Sequence, residues 1–548
     1  MTTTRRGFLA TTGTAIGTLA SAALLVPRGL RAAPAEIRKP APGTTGAGGP
    51  AGLVGASPLP PFAELAKRAL DRAKSAGATY ADARLVAMMR EHVEVKDRRV
   101  ERVSQSEEIG ISVRVLVDGA WGFSATPQIV QLQVFAAVDR AIMQAKANAA
   151  LAKRLGAPKV ELAKVEPVTA EWVTPHTLDP FSIGPADKAE LLLAATAAAL
   201  GVKGVAHASA SVTCVREDKL LLTTEGSKIH QVHLRVAPEL GATAVDRRRG
   251  RFANREHDGP PMSIGWEHVT ELDLPKLAVT TGEQVLQKLH APVVEPGLRH
   301  VVLDPTNLYL TIHESIGHPT ELDRAVGLEA NFAGTSFLEL ADTGKLQYAN
   351  ERVSVFADRT QPGGLATTGW DDEGVPTSRW PIIDKGKFVG WQTTREQAAW
   401  IGETASHGCS YGNGYDGVQF QRMPNVSLQP GSEGYTTEDL INATDDGVYI
   451  TGRGSWSIDQ QRHNFQFGGQ MFWRIKKGRL VTPLRDVAYQ ANTLEFWRSC
   501  DMLGGTSTYR LGGSMGDGKG EPSQSNAVSH GCPPARFKAT IVRTGGAA

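Results

Sequence analysis

Apolar residues recur at helical spacing, with charges between them, over residues 62–77, which predicts an amphipathic helix. From residue 81 to 117 the period shortens to two. Runs such as His92-Val93-Glu94-Val95 and Ile109-Gly110-Ile111-Ser112-Val113-Arg114-Val115 read as strands. An Ala-rich helical stretch over 134–155 completes a small α/β-type domain, residues 62–160. A Pro-punctuated crossing over 167–185 leads to an Ala/Leu helix at 186–199 and strands at 208–215, 220–224 and 231–236. With the helical segment 274–289 they form a central α+β domain, residues 161–290. The link Ala291-Pro292-Val293-Val294-Glu295-Pro296-Gly297 marks the next boundary. Beyond it, a buried strand at 299–303 and a helix at 309–317 precede short strands separated by Gly-rich turns, so domain 291–548 is largely β. The fold class is multidomain α+β, with no repeat of fixed period.

Ahead of residue 62 the pattern has nothing to bury. Residues 36–61 are rich in Pro, Gly and Ala and read as a flexible linker. Residues 1–35 carry an address: Thr4-Arg5-Arg6-Gly7-Phe8-Leu9 is a twin-arginine pattern followed by a short, diluted apolar stretch, and Ala33-Pro34-Ala35 offers a cleavage site. The stretch is too short and too weakly apolar for a stable membrane span. Export through the Tat route, which carries proteins already folded, implies a periplasmic or other extracytoplasmic location.

Composition narrows the partners. A hydrophobic fraction of 41% and a charged fraction of 21% are those of an ordinary globular protein, and 548 residues exceed one core. The 59 Lys and Arg balance 57 Asp and Glu, and no basic stripe or nucleic-acid motif is present, which excludes an electrostatic case for nucleic acid. Cys214, Cys409, Cys500 and Cys532 are widely spaced, with no CxxC. They give no disulfide framework, though one or two bridges are compatible with an oxidising compartment. Cys214, Cys409 and Cys500 read as structural thiols.

The chemistry concentrates at His313-Glu314-Ser315-Ile316-Gly317-His318. Two histidines four apart on a helix differ by about 40° and face one metal, whereas five apart differ by about 140°. Gly317 before His318 and Pro319 after it predict that the helix breaks at His318, out of the α region, letting its ring swing back. Two imidazoles and one anionic ligand would leave zinc an open position for a water of lowered pKa, with Glu314 placed as general base.

With these residues the chain resembles the TldD/PmbA family of zinc metallopeptidases, on the HExxxH-bearing TldD side. Also similar are the acidic tail Thr320-Glu321-Leu322-Asp323, the stretch from Asp371 to Thr377, Arg422-Met423-Pro424-Asn425 and the ending near Gly545-Gly546. The resemblance implies a zinc ion held by His313, His318 and a cysteine just before a Gly-Lys pair near the C-terminus. Here that place reads Asp517-Gly518-Lys519, so Asp517 is the expected third ligand, with Cys532, two residues after His530, as competitor. It also implies hydrolysis of unfolded peptides read through main-chain strand pairing, and a homodimer or a heterodimer with a metal-free PmbA/TldE-like subunit. For an oxyanion stabiliser, His407, His463, Tyr411 and Arg510 are candidates by residue type alone. The alternative reading is a non-catalytic, TldE/PmbA-like peptide-binding subunit with a degenerate site, and Asp517 is its best support.

Overall fold

The computed structural model describes residues 57–257 and 259–544. The twin-arginine segment, the linker as far as residue 56 and the Gly545-Gly546 ending lie outside the described residues. Residues just ahead of the expected residue 62 already belong to the folded part: Leu59 is fully buried and Ser57 Oγ donates to Asp218 at 2.8 Å. No helix among the described residues is long and apolar enough to cross a membrane.

The first seven strands form one sheet. Strands β1 (Tyr80–Lys96) and β2 (Arg99–Val117) make a long hairpin, its turn residues Asp97 and Arg98 both at positive φ, as a two-residue turn between twisted strands requires. Strand β3 (Ala120–Thr126) follows, then β4 (Thr169–Val173). Strands β5 (Val205–Thr223), β6 (Lys228–Asp246) and β7 (Arg251–His257) complete it. The order is β3-β2-β1-β5-β6-β4, with β7 also on β6. β1 pairs antiparallel with β5, Leu85 opposite Leu220, so the segments 62–160 and 161–290 contribute to a single sheet. The strands expected at 208–215 and 220–224 are one continuous β5, and the 167–185 crossing contains β4.

Helices cover one face of this sheet. α1 (Ala63–Ser75) and α2 (Gln131–Leu155) pack their apolar stripes on Ala81, Ala83, Leu85, Ile111 and Val113. α3 (Pro185–Gly201) and α4 (Leu274–His290) do the same over Ala210, Val212 and Val236. The other face alternates in charge and is also buried. Arg84 Nη1 meets Asp372 Oδ2 at 2.6 Å, Lys219 Nζ meets the same oxygen at 3.0 Å, and Arg114 Nη1 meets Glu373 at 3.0 Å. The Asp371–Thr377 motif thus docks the C-terminal domain on the sheet.

That domain is built on a nine-stranded mixed sheet. At its centre β8 (Gly297–Leu303) lies between β9 (Asp446–Thr451), parallel to it, and β12 (Ala535–Arg543), antiparallel. Ahead of β12 a separate hairpin, β10 (Arg510–Lys519) and β11 (Gln524–Cys532), crosses the helix that follows β8.

Candidate metal centre

β8 runs into α5 (Pro305–Ile312), which starts four residues before the expected 309. Asp304 accepts from Thr306 N as N-cap and Pro305 takes the first position, a pairing that fixes a helix start. Gly512 of β10 presses on this helix: a Cβ there would sit 2.4 Å from the Tyr309 ring, so only glycine admits the contact.

After Ile312 the helix does not break at His318. Residues His313–Gly317 form a π turn, closed by the His318 N–H donating to the His313 carbonyl, and His318 keeps right-handed helical angles (φ −62, ψ −45). A π turn brings residues five apart onto one face. It removes the angular mismatch that the Gly317-Pro319 breaker was expected to relieve, and the chain leaves the helix only at Glu321 (φ −72, ψ 117). The widened turn displaces carbonyls from the α ladder, and side chains take them up. Tyr348 OH donates to Ser315 O, Thr320 Oγ1 to Ile316 O (2.7 Å), and Gln392 Nε2 to Gly317 O (2.6 Å).

The two rings converge on Asp517. Its Oδ1 lies 3.5 Å from both His313 Nε2 and His318 Nε2, and the ring centroids are 4.5 Å apart. A register shift in β10 between Ser514 and Asp517 re-aims the strand, so that Asp517 and Lys519 both point inward. Arg422, from the Arg422–Asn425 motif, grips the Asp517 carbonyl and carboxylate. Burial works against the Asp517 charge, but the His318 and His313 rings and Arg422 hold its carboxyl well below the usual range.

Hydrogen bonds set the tautomers. His530 Nδ1 donates to Val426 O at 2.8 Å, which leaves its Nε2 as acceptor for His313 Nδ1, also at 2.8 Å. In the neutral ring the lone pair of His313 is therefore on Nε2, the atom that faces Asp517. His318 Nδ1 lies 2.8 Å from Glu321 Oε2, an acceptor-only carboxylate, so its Nε2 is free in the same way. Arg324 Nη2 is 3.1 Å from that Nδ1 but makes its shorter bond through Nε to Glu321 Oε2, at 2.6 Å. Glu321 Oε1 receives Lys519 Nζ at 2.9 Å, and Asp323 receives the same ammonium at 2.8 Å. Burial, then Arg324, pull the His318 pKa well below its ordinary value, while at His313 the Asp517 carboxylate outweighs burial and raises it.

This donor set fits zinc. Bonds of about 2.0–2.1 Å to a tetrahedral ion separate its donor atoms by about 3.3–3.4 Å, close to the 3.5 Å separations here. Glu314 lies within 4.8 Å of both rings but is engaged elsewhere, ion-paired with Arg462 on the wall of a cavity of about 240 Å³. Asp517 is the nearer carboxylate.

Other residues singled out in the sequence lie apart. Cys532 is buried with Sγ 3.7 Å from Pro305 O, at the opposite end of α5 and about 12 Å of helix from His313, and burial pushes its thiol up. All four cysteines are free thiols. His407 stacks on Trp380, Tyr411 OH binds Glu217 at 3.1 Å, Arg510 caps local carbonyls and His463 bonds Asn492; none lines the cavity. Sequence reasoning missed Arg462, Arg422 and His530 as parts of the site. The signals were faint: Arg462 adjoins His463, and Arg422 opens a quoted motif.

The chain matches PmbA/TldA metallopeptidase domain 1 over residues 81–149, the central domain over 178–290 and the C-terminal domain over 296–543. It is 29% identical over 468 residues to a metalloprotease of Methanothermobacter thermautotrophicus, covering 84% of this chain and 95% of that protein. It is 20% identical to a zinc metalloprotease TldD homolog of Saccharolobus solfataricus, over 86% of this chain and 97% of that one. In fold it is similar to TldE from Thermococcus kodakarensis (TM-score 0.65, 16% identity, 87% of this chain and all of that one). It is also similar in fold to a Thermotoga maritima protein described as a modulator of a DNA gyrase (TM-score 0.68, 16% identity, 88% and 100%). Three domain matches in order across the folded length carry one conclusion: the chain belongs to the PmbA/TldD family of metallopeptidases.

Proposed function

We propose that the chain is a zinc-dependent peptidase acting on unfolded peptides, with His313, His318 and Asp517 as ligands and Glu314 as general base. The observation that carries this reading is the convergence of two tautomer-fixed Nε2 atoms on one buried carboxylate oxygen at 3.5 Å. When bound, zinc supplies a water of lowered pKa and polarises a carbonyl. Glu314 sits beside a ligand on the same turn, with Oε2 tied to Arg462 and Oε1 left to take the water proton and return it to the leaving amine. Arg462 keeps that carboxylate oriented and brings positive charge to the cavity wall, a role no candidate from the sequence fills. The intact HExxxH turn argues against the partner-subunit alternative. A TldE neighbour in fold supports pairing with a metal-free subunit, or with a second copy. The twin-arginine pattern supports export to the periplasm.

The test is Glu314→Gln. The variant should bind zinc as the parent does, by metal analysis, and lose cleavage of an unstructured peptide by a factor of at least 10². Unchanged cleavage would remove Glu314 from the mechanism, and a parent chain purified with only trace zinc would favour the non-catalytic reading.

A further inference from the structure

The hairpin of β6 and β7 ends in an exposed basic turn that takes no part in the metal centre. It reads Val245-Asp246-Arg247-Arg248-Arg249-Gly250-Arg251-Phe252, so eight residues hold four exposed arginines against one acid. That excess of three positive charges (four minus one) is larger than the net +2 of the whole chain, so the positive field is local to this turn. Asp246 does little to neutralise it. Its Oδ1 accepts from the backbone N–H groups of Arg248 and Arg249 at 3.1 and 3.2 Å, and its nearest guanidinium contact is Arg249, at 3.7 Å. Those backbone bonds, with Gly250 at φ +60, brace the turn that presents the arginines. Lys288 of α4 adds a further cation to this corner, its Nζ donating to Asn254 O at 2.9 Å.

An apolar pair accompanies the charge. Val245 and Phe252 lie directly opposite each other across the two strands, and they are 42% and 71% exposed. Strand alternation sends their neighbours Ala244 and Ala253 to the other face, where they pack with Val285 and Leu289. The valine and the phenyl ring therefore stand together on the face that the fold leaves uncovered at this end, beside the arginines. Each half of the patch asks something different of a partner. Guanidinium forks match phosphate oxygens, two N–H donors to one group. An exposed ring with a β-branched neighbour gains by entering the boundary between headgroups and acyl chains. A bilayer rich in anionic phospholipid supplies both, whereas an acidic protein surface or a free phosphate would answer the charge and leave the ring in water.

We propose that the end of this hairpin docks on an anionic phospholipid bilayer, with the four arginines on lipid phosphates and Phe252 and Val245 in the interface. The contact is peripheral and needs no membrane span. The test is sedimentation of the full chain with vesicles of phosphatidylglycerol mixed with phosphatidylcholine, and with vesicles of phosphatidylcholine alone. Binding to the mixed vesicles is expected, falling as salt is raised. It should weaken by at least about ten-fold when Arg247→Ser, Arg248→Ser, Arg249→Ser and Arg251→Ser are combined, and by at least about three-fold in Phe252→Ser. Residues 1–35 carry arginines and an apolar stretch of their own, but every variant retains them, so a loss reports the hairpin. A polarity-sensitive fluorophore attached at Val245→Cys should shift its emission to the blue on the mixed vesicles, and the four native thiols are buried, which makes the label selective. Equal binding to phosphatidylcholine alone, binding to neither vesicle, undiminished binding by either variant, or unmoved emission at position 245 would each overturn the proposal. Binding of soluble polyglutamate with no binding of vesicles would assign the patch to an acidic protein instead. The salt dependence and the label are read on chains that keep all four arginines, so they decide the matter even if the combined variant misfolds. No readout depends on peptide cleavage.

Discussion

The lone pair that His313 would offer to the proposed metal is set by a residue 217 positions away. Val426 O holds the proton on His530 Nδ1, His530 Nε2 then accepts from His313 Nδ1, and only then is His313 Nε2 bare. Asp517 completes the pair of rings, while Cys532 is sequestered against Pro305. Asp517→Ala should therefore reduce zinc affinity by at least ten-fold in a chelator competition, and Cys532→Ala should leave it within two-fold. The opposite result would move the third ligand to the thiol. The sequence named all three of these residues, but not the partners that orient them. Glu321 and Lys519 stood in quoted motifs without a role, and His530 was noted only as a neighbour of Cys532. A hydrogen bond across that much chain leaves no periodic trace, so the supporting residues had no local signal.

At the scale of elements, the π turn decides whether the HExxxH spacing works. It persists because Tyr348, Thr320 and Gln392 satisfy the carbonyls it displaces. Tyr348→Phe leaves the Ser315 carbonyl buried without that donor, so it should cost about 1–3 kcal/mol in a denaturant titration and weaken zinc binding as the turn relaxes. Unchanged stability and affinity would mean that the turn is held by something else. Most elements were legible as patterns. The helices at 62–77, 134–155, 186–199 and 274–289 and the strands of the long hairpins appear where the periodicity puts them. What periodicity does not carry is pairing. Alternation in β1 and β5 marks one polar face on each strand, but not that Leu85 lies opposite Leu220, nor that Arg84 and Lys219 are buried by Asp372. The π turn was illegible for a similar reason, since the side chains that stabilise it come from residues 348 and 392.

At the scale of the whole molecule, the buried charged face of the N-terminal sheet links stability to pH. His233 sits in it, its Nε2 3.0 Å from Thr368 Oγ1, and burial, with the Arg235 guanidinium, lowers its pKa to about 3. A folded-state pKa below the unfolded value of about 6.5 means that the unfolded chain takes up a proton first. The stability contributed is full above pH 6.5 and is lost as pH falls towards 3, at up to about 1.4 kcal/mol per pH unit for this one group. His233→Gln should flatten the stability profile over that window, and an unaltered slope would assign the acid sensitivity to other groups. The nine-stranded sheet has its own consequence. β12 is made late, yet it occupies a central place against β8, the strand that launches α5, and Asp517, Lys519 and His530 all lie on the hairpin immediately before it. During synthesis from the N-terminus, β8 must wait with an open edge for more than two hundred residues. With the proposed ligands, a ribosome that stops before β10 releases a chain with neither a closed sheet nor Asp517, so truncated copies should show no peptide cleavage in an activity assay.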